Sequence, residues 1–199
     1  MLANLPPATR ALLLTNVGVF LLQLLIGPLL SQWFALWPIG AGFEPWQLVT
    51  YAFLHDEHNV LHILMNMFAL FMFGTPLERY WGSARFTAFY FVCAVTAGLA
   101  QLTVSMFDPS QGAALGASGA IFGLLLGFAM YFPRQRIILL ILPIPLPAWL
   151  FVTLYGVAEF YQGVAGYNPG VAHFAHLGGL LGGAAMILFW RFRDGARKR

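Results

Sequence analysis

The stretch Gly116-Ala117-Ser118-Gly119 opens an apolar helical run, and 58 positions later His176 opens another, within His173-Phe174-Ala175-His176-Leu177-Gly178-Gly179. A serine hydroxyl and an imidazole, each about one turn inside an apolar segment, point to nucleophilic chemistry inside a bilayer. Whether the two meet depends on how the rest of the chain crosses the membrane.

Composition decides the class. Of 199 residues, 60% are hydrophobic and 9% charged, against about 25% charged in an ordinary soluble domain. This excludes a soluble globule and implies an all-α, polytopic membrane protein. The single cysteine, Cys93, excludes an internal disulfide framework and Cys-rich metal sites. The formal charge of +3 is carried by basic residues scattered between apolar runs, which argues against a nucleic-acid partner.

Six runs have the length that a bilayer core requires: approximately 9–30, 59–77, 85–106, 115–132, 136–156 and 171–192. Pro28, Pro76, Pro109, Pro133 and Pro169 punctuate their ends. Pro143, Pro145 and Pro147 kink or break the fifth. Arg10 before the first run gives it the look of a signal peptide, but it is too long and lacks a clear cleavage site, so it is expected to be retained. An even number of spans puts both termini on one side. All ten Lys and Arg residues then fall on that same face, which the positive-inside rule makes cytoplasmic. Five of the seven acids (Glu44, Asp56, Glu57, Asp108 and Glu159) fall on the other.

With this topology the second, fourth and sixth spans all enter from the outer face. His62 and Asn66, Ser118 and His176 then share a depth of roughly 5–10 Å below it. His62 and Asn66 are four apart and stack on one helix side. His176, Gly179 and Gly183 share a face whose small residues permit close helix approach. Gly119, Gly123 and Gly127 form a row about 100–180° around from Ser118, so the two glycine rows are not expected to meet with Ser118 facing His176. A serine nucleophile needs a base, which a neutral His176 supplies. It also needs donors for the oxyanion. The first turn after Gly116 offers unpaired N–H groups, and His62 and Asn66 add side-chain donors. No carboxylate is expected at this depth in the fourth or sixth span, so a Ser–His dyad is the expectation.

Plainer roles exist for each group. An apolar-helix serine often bonds a carbonyl one turn back, Asn66 suits interhelical bonding, and Cys93 reads as packing. His55, His58 and His173 are placed at the outer interface as water or headgroup contacts, with His173 a rival base one turn shallower than His176. A transporter would call for inverted repeats and midplane charges, which are not seen. A metal enzyme on the five histidines lacks an HExxH motif and a buried carboxylate ligand, so no metal or other cofactor is expected.

These residues carry a resemblance to the rhomboid intramembrane serine proteases along essentially the whole chain, with no appended soluble domain. Gly116-Ala117-Ser118-Gly119 resembles the family's GxSG nucleophile motif. Ala175-His176-Leu177-Gly178-Gly179 resembles its base motif, with Gly179 and Gly183 at helix-packing positions. His62-Ile63-Leu64-Met65-Asn66 resembles the HxxxN oxyanion segment. The resemblance implies one membrane domain over 1–199, of the compact six-helix bacterial type. It implies a multi-pass protein of the bacterial inner (plasma) membrane, surrounded by lipid, with its site facing the extracytoplasmic side. The implied activity is serine endopeptidase hydrolysis of single-pass membrane proteins near the outer end of their helix; a non-proteolytic rhomboid-like chaperone or binding protein is the alternative. Segment 31–53, with Trp33, Phe34, Trp37, Phe43 and Trp46, matches the family's first loop. Glu159 through Gly170 would form a flexible cap, beside a fifth helix acting as gate. Two positions depart from the family: Gln47 follows Trp46 where many relatives have arginine, and Phe122 replaces a tyrosine that some relatives stack on the imidazole.

Overall fold

In the computed structural model, which describes residues 4–108, 111–138, 144–167 and 170–196, the apolar runs form a helical bundle with one two-stranded sheet. Helix α1 is Pro7–Ile26 and the short α2 is Leu29–Phe34. The first expected run is thus split, at Gly27 with φ 71° followed by Pro28. The first loop carries α3 (Gln47–Thr50) and a 3-10 turn over Tyr51–Phe53. Helix α4 (Val60–Ala69) continues through a π turn, Leu70–Gly74, into α5 (Thr75–Trp81). Pro76 lacks an N–H and crowds the carbonyl one turn back, and the wide turn accommodates it. Then follow α6 (Ser83–Phe107), α7 (Ser118–Tyr131), strands β1 (Arg136–Ile138) and β2 (Pro145–Pro147), α8 (Ala148–Ala165) and α9 (His173–Ala196).

Among the described residues, Pro7–Ile26, Val60–Trp81, Ser83–Phe107 and His173–Gly195 are long and apolar enough to cross a membrane, and Ser118–Tyr131 is a shorter apolar helix. The expected fifth run differs most. Residues 136–138 do not begin a helix but pair antiparallel with 145–147, Arg136 opposite Pro147. The prolines favour extended backbone, and Pro147, at φ −62° and ψ 142°, stands just before the first residue of α8. The expected helix 136–156 therefore runs 148–165 instead, and part of it, 139–143, lies outside the described residues.

Helix α9 is the centre of the bundle, packed against both α6 and α7. Its paired glycines explain this. A Cβ at Gly178 would meet the carbonyl oxygen of Thr96 at 2.7 Å, and one at Gly182 would collide with the Thr96 side chain. A Cβ at Gly179 would collide with the carbonyl oxygen of Gly119, and one at Gly183 would lie 3.2 Å from that of Gly123. Adjacent residues project about 100° apart, so the row 178/182 seats α6 and the row 179/183 seats α7. The glycine rows of α7 and α9 thus do meet, contrary to expectation. His176 lies one turn above the contact and reaches Ser118 from there, so the two need not share Gly119's direction. Cys93 is fully buried against Gly123.

The opposite end of the bundle is closed by aromatics and ion pairs. Trp81 packs edge-on against Tyr131 and Trp190, with centroids 5.2 and 5.3 Å apart. Arg85 pairs with Asp194 at 3.3 Å. Here the buried Glu78 accepts from the backbone N–H of Ala8 (2.8 Å) and Thr9 (2.6 Å), from Thr9 Oγ1 (2.7 Å) and from Ser83 Oγ (2.7 Å). An anion at a helix start satisfies orphan N–H groups and opposes the dipole. Glu78→Ala is expected to cost about 2–4 kcal/mol, since it orphans several buried donors of charge-assisted bonds. A drop in melting temperature in detergent, with Glu78→Gln intermediate, checks this.

Gln47 is buried and knits the first loop together. Its Oε1 accepts from the N–H of Trp37 (3.1 Å) and Glu44 (3.2 Å), while its Nε2 donates to the carbonyls of Trp33 (3.3 Å) and Gly42 (3.2 Å). The amide supplies both polarities, which an arginine cannot. The loop in turn holds the segment before α7. Leu36 and Ala114 exchange backbone hydrogen bonds at 2.9 Å, Gly116 N–H donates to Tyr51 O at 2.9 Å, and Tyr51 OH donates to Ala94 O at 2.7 Å.

Candidate active site

Ser118 is the first residue of α7, and no side chain caps that helix. The first intrahelical bond to Ala117 O comes from Ile121, at 3.0 Å. The N–H groups of Ser118, Gly119 and Ala120 therefore lack acceptors in their own helix. Gly116 has φ +125°, a region L side chains rarely enter, and an added Cβ would lie 3.0 Å from His62 Nε2. Only glycine permits this turn beneath the imidazole.

His176, the fourth residue of α9, places Nε2 2.8 Å from Ser118 Oγ. Phe122 stacks on its ring, with centroids 4.2 Å apart and planes 11° apart. The serine and histidine singled out in the sequence are thus within hydrogen-bond reach. His62 lies on their other side. The Asp56 N–H donates to His62 Nδ1 at 3.4 Å, which leaves the proton of a neutral ring on Nε2, the nitrogen nearest Gly116. Asn66 donates one amide hydrogen to His62 O at 2.9 Å, and its second hydrogen remains for another acceptor. His62, Asn66, Ser118, Phe122 and His176 all line one cleft of about 1560 Å³. The cleft is walled on one side by Met65 and Met72, and on the other by Phe151, Leu154 and Tyr155 of α8.

Four expectations are corrected here. The serine–histidine pair does not stand alone: Glu159 Oε2 lies 2.8 Å from His176 Nδ1 and 2.7 Å from His173 Nδ1, and Glu159 is buried. Glu159 belongs to α8 and not to a flexible cap, because the helix begins twelve residues later than expected and carries it inward. His173 is neither a surface contact nor a base for Ser118. It is buried, and its Nε2 lies 3.0 Å from Tyr167 O. His55 is also no headgroup contact: it is fully buried and edge-on to His62, with centroids 5.2 Å apart. Neither of its ring nitrogens has a hydrogen-bond partner among the described residues. His58 is exposed, as expected.

Burial, followed by the nearby His62, pushes the His55 imidazole down to about 4 from 6.5. The folded state thus binds fewer protons than the unfolded chain between these values. Its stability is complete above pH 6.5 and is lost as pH falls toward 4, by up to about 3 kcal/mol. Melting curves at pH 4.5 and 7 should show this acid loss shrinking in His55→Phe.

Glu159, His173 and His176 each offer one ligand atom, all within 4.8 Å, and two imidazoles with a carboxylate suit zinc by donor type. The buried carboxylate missing from the metal reading of the sequence is therefore present. In the structure these atoms are engaged with one another, and His176 Nε2 with Ser118.

Compared with known proteins, residues 42–192 match the Rhomboid domain model. The chain belongs to the rhomboid family. It is 37% identical over 134 residues to the mitochondrial rhomboid protein 1 of Saccharomyces cerevisiae, covering 66% of this chain and 38% of that protein. It is 28% identical over 192 residues to the rhomboid protease GlpG of Serratia proteamaculans, covering 96% of this chain and 64% of that one. To the rhomboid protease GluP of Bacillus subtilis it is 40% identical over 82 residues, covering 41% and 15%. The chain thus spans less than two thirds of the length of these rhomboid relatives. Family membership and the apolar helices together make it a multi-pass membrane protein.

Proposed function

We propose that this rhomboid is an intramembrane serine endopeptidase that cuts single-pass membrane proteins near the extracytoplasmic end of their transmembrane helix. The observation that carries this reading is the 2.8 Å contact between Ser118 Oγ and His176 Nε2 at the head of an apolar cleft. Two relatives bearing the name rhomboid protease support it. In this reading six segments span the bilayer, with α7 and α8 among them, and both termini face the cytoplasm with the basic residues. The domain is a single unit, and the protein resides in a bacterial inner membrane, surrounded by lipid.

The substrate segment enters the cleft between α4 and α8 and unwinds beside Ser118. Ser118 Oγ attacks the scissile carbonyl carbon and its proton passes to His176 Nε2. The tetrahedral oxyanion is held by the free N–H groups of the first turn of α7, with His62 Nε2–H and the Asn66 amide as side-chain donors. Gly116 allows His62 its place. As the C–N bond breaks, the leaving amine takes the proton from His176 and an ester remains on Ser118. Water then attacks that ester, giving one proton to His176, and Ser118 Oγ leaves and recovers it. A binding protein without activity would leave the Ser118–His176 contact idle.

The test is reconstitution of the chain with a single-pass membrane substrate, together with labelling by a serine-directed phosphonate. Cleavage, and adduct formation mapped to Ser118, is the expected result. Cleavage with the label on another residue would overturn the assignment.

A further inference from the structure

Glu159 is the one buried acid that touches both histidines of α9. On the reading of Ser118 as nucleophile and His176 as base, we propose that Glu159 is a positioning residue: it fixes His176 in the tautomer that accepts the serine proton, with His173 bonded to the same carboxylate.

An ionised carboxylate only accepts hydrogen bonds. Its 2.8 Å contact with His176 Nδ1 therefore puts a proton on Nδ1 and leaves the lone pair on Nε2, which faces Ser118 Oγ. Without that acceptor the two tautomers compete, and the Nε2–H form cannot act as base. His173 meets the same carboxylate from the other side: its Nδ1 lies 2.7 Å from Glu159 Oε2 and its Nε2 3.0 Å from Tyr167 O, with the His173 and Glu159 side chains 7% and 4% exposed. A buried carboxylate persists at such a place only when it is hydrogen-bonded, and the carbonyl of Tyr167 helps to orient the second ring that does so.

The experiment uses the reconstituted chain with imidazole 15N-labelled histidine, in wild type, Glu159→Ala, Glu159→Leu, Glu159→Asp and Ser118→Ala forms. The His176 signal is assigned by its loss in His176→Ala. Wild type is expected to show Nδ1–H at His176, with Nε2–H appearing in Glu159→Ala. The kcat of Glu159→Ala should fall about 10⁴-fold with KM changed less than about 3-fold, by analogy with loss of the acid from soluble triads. Glu159→Asp should recover part of kcat. Should Glu159→Ala fail to fold, Glu159→Leu, which likewise offers no acceptor, gives the same reading. A folded Glu159→Ala or Glu159→Leu protein keeping wild-type kcat or an unchanged Nδ1–H signal overturns the proposal, as does wild-type activity that a chelator abolishes. The tautomer signal is independent of turnover. A wild type that does not cleave, or Ser118→Ala that cleaves normally, therefore overturns the protease reading without deciding this one.

Discussion

Ser118→Ala should cut a reconstituted membrane substrate no faster than background, a loss on the order of 10⁶-fold if the site behaves as soluble serine hydrolases do. The substitution removes one oxygen, whose hydrogen-bond partner is His176 Nε2. It leaves α7, the glycine contact and the cleft in place, so melting in detergent should be unchanged. His176→Ala should lose as much, and the double variant no more than either, because the two groups act as one unit. Normal cleavage by a folded Ser118→Ala protein would refute the assignment outright.

Gly179→Ala is expected to have the second large effect, on folding as well as activity. The added methyl would occupy the position of the Gly119 carbonyl oxygen. That atom belongs to helix backbone and cannot rotate away, so α7 must shift as a body. Relief by such a shift is expected to cost about 3 kcal/mol or more, at the upper end of overpacking. It would also draw Ser118 away from His176, so activity should fall even at temperatures where the protein remains folded. Gly18→Ala, where no atom lies within 4 Å, is the control. In mid-helix it should be neutral or stabilising by up to about 1 kcal/mol. Equal melting of the two variants would mean that the close approach at Gly179 carries no structural weight.

Legibility from the sequence divided along physical lines. Ser118 and His176 stand out in the sequence because polar groups are costly in apolar helices, and the structure brings the two within 2.8 Å. Gly179 and Gly183 read as a small-residue row from their spacing, and the structure adds a second row, Gly178 and Gly182. It takes two neighbouring rows to seat two helices, and the doublets at 178–179 and 182–183 were the available signal. Glu159 is hidden by the helix boundary. A helix over 136–156 with kinks at its prolines leaves Glu159 beyond its end, whereas Pro145 and Pro147 lie in strand β2, directly before α8. Placing the helix start after Pro147 puts Glu159 within an apolar helical run, where a lone acid demands a partner. His55 was misjudged because loops are expected at the surface, and nothing in its local sequence signals that Gln23 would hold it inside. That hold is reciprocal: His55 N–H donates to Gln23 Oε1 and Gln23 Nε2 to His55 O.

Helix α7 has only fourteen residues, and this brevity works as a ruler. Its far end, Tyr131, lies among Trp81 and Tyr80, the kind of aromatic belt that marks a membrane boundary. Fourteen residues rise about 21 Å, against a hydrocarbon thickness of about 30 Å. Ser118 therefore stands about 9 Å short of the opposite boundary. On the protease reading proposed above, a guest helix descending from that boundary reaches the serine after about six residues. The place of the cut along such a guest is on that reading set by the length of a helix in the host, before any side-chain preference is exercised.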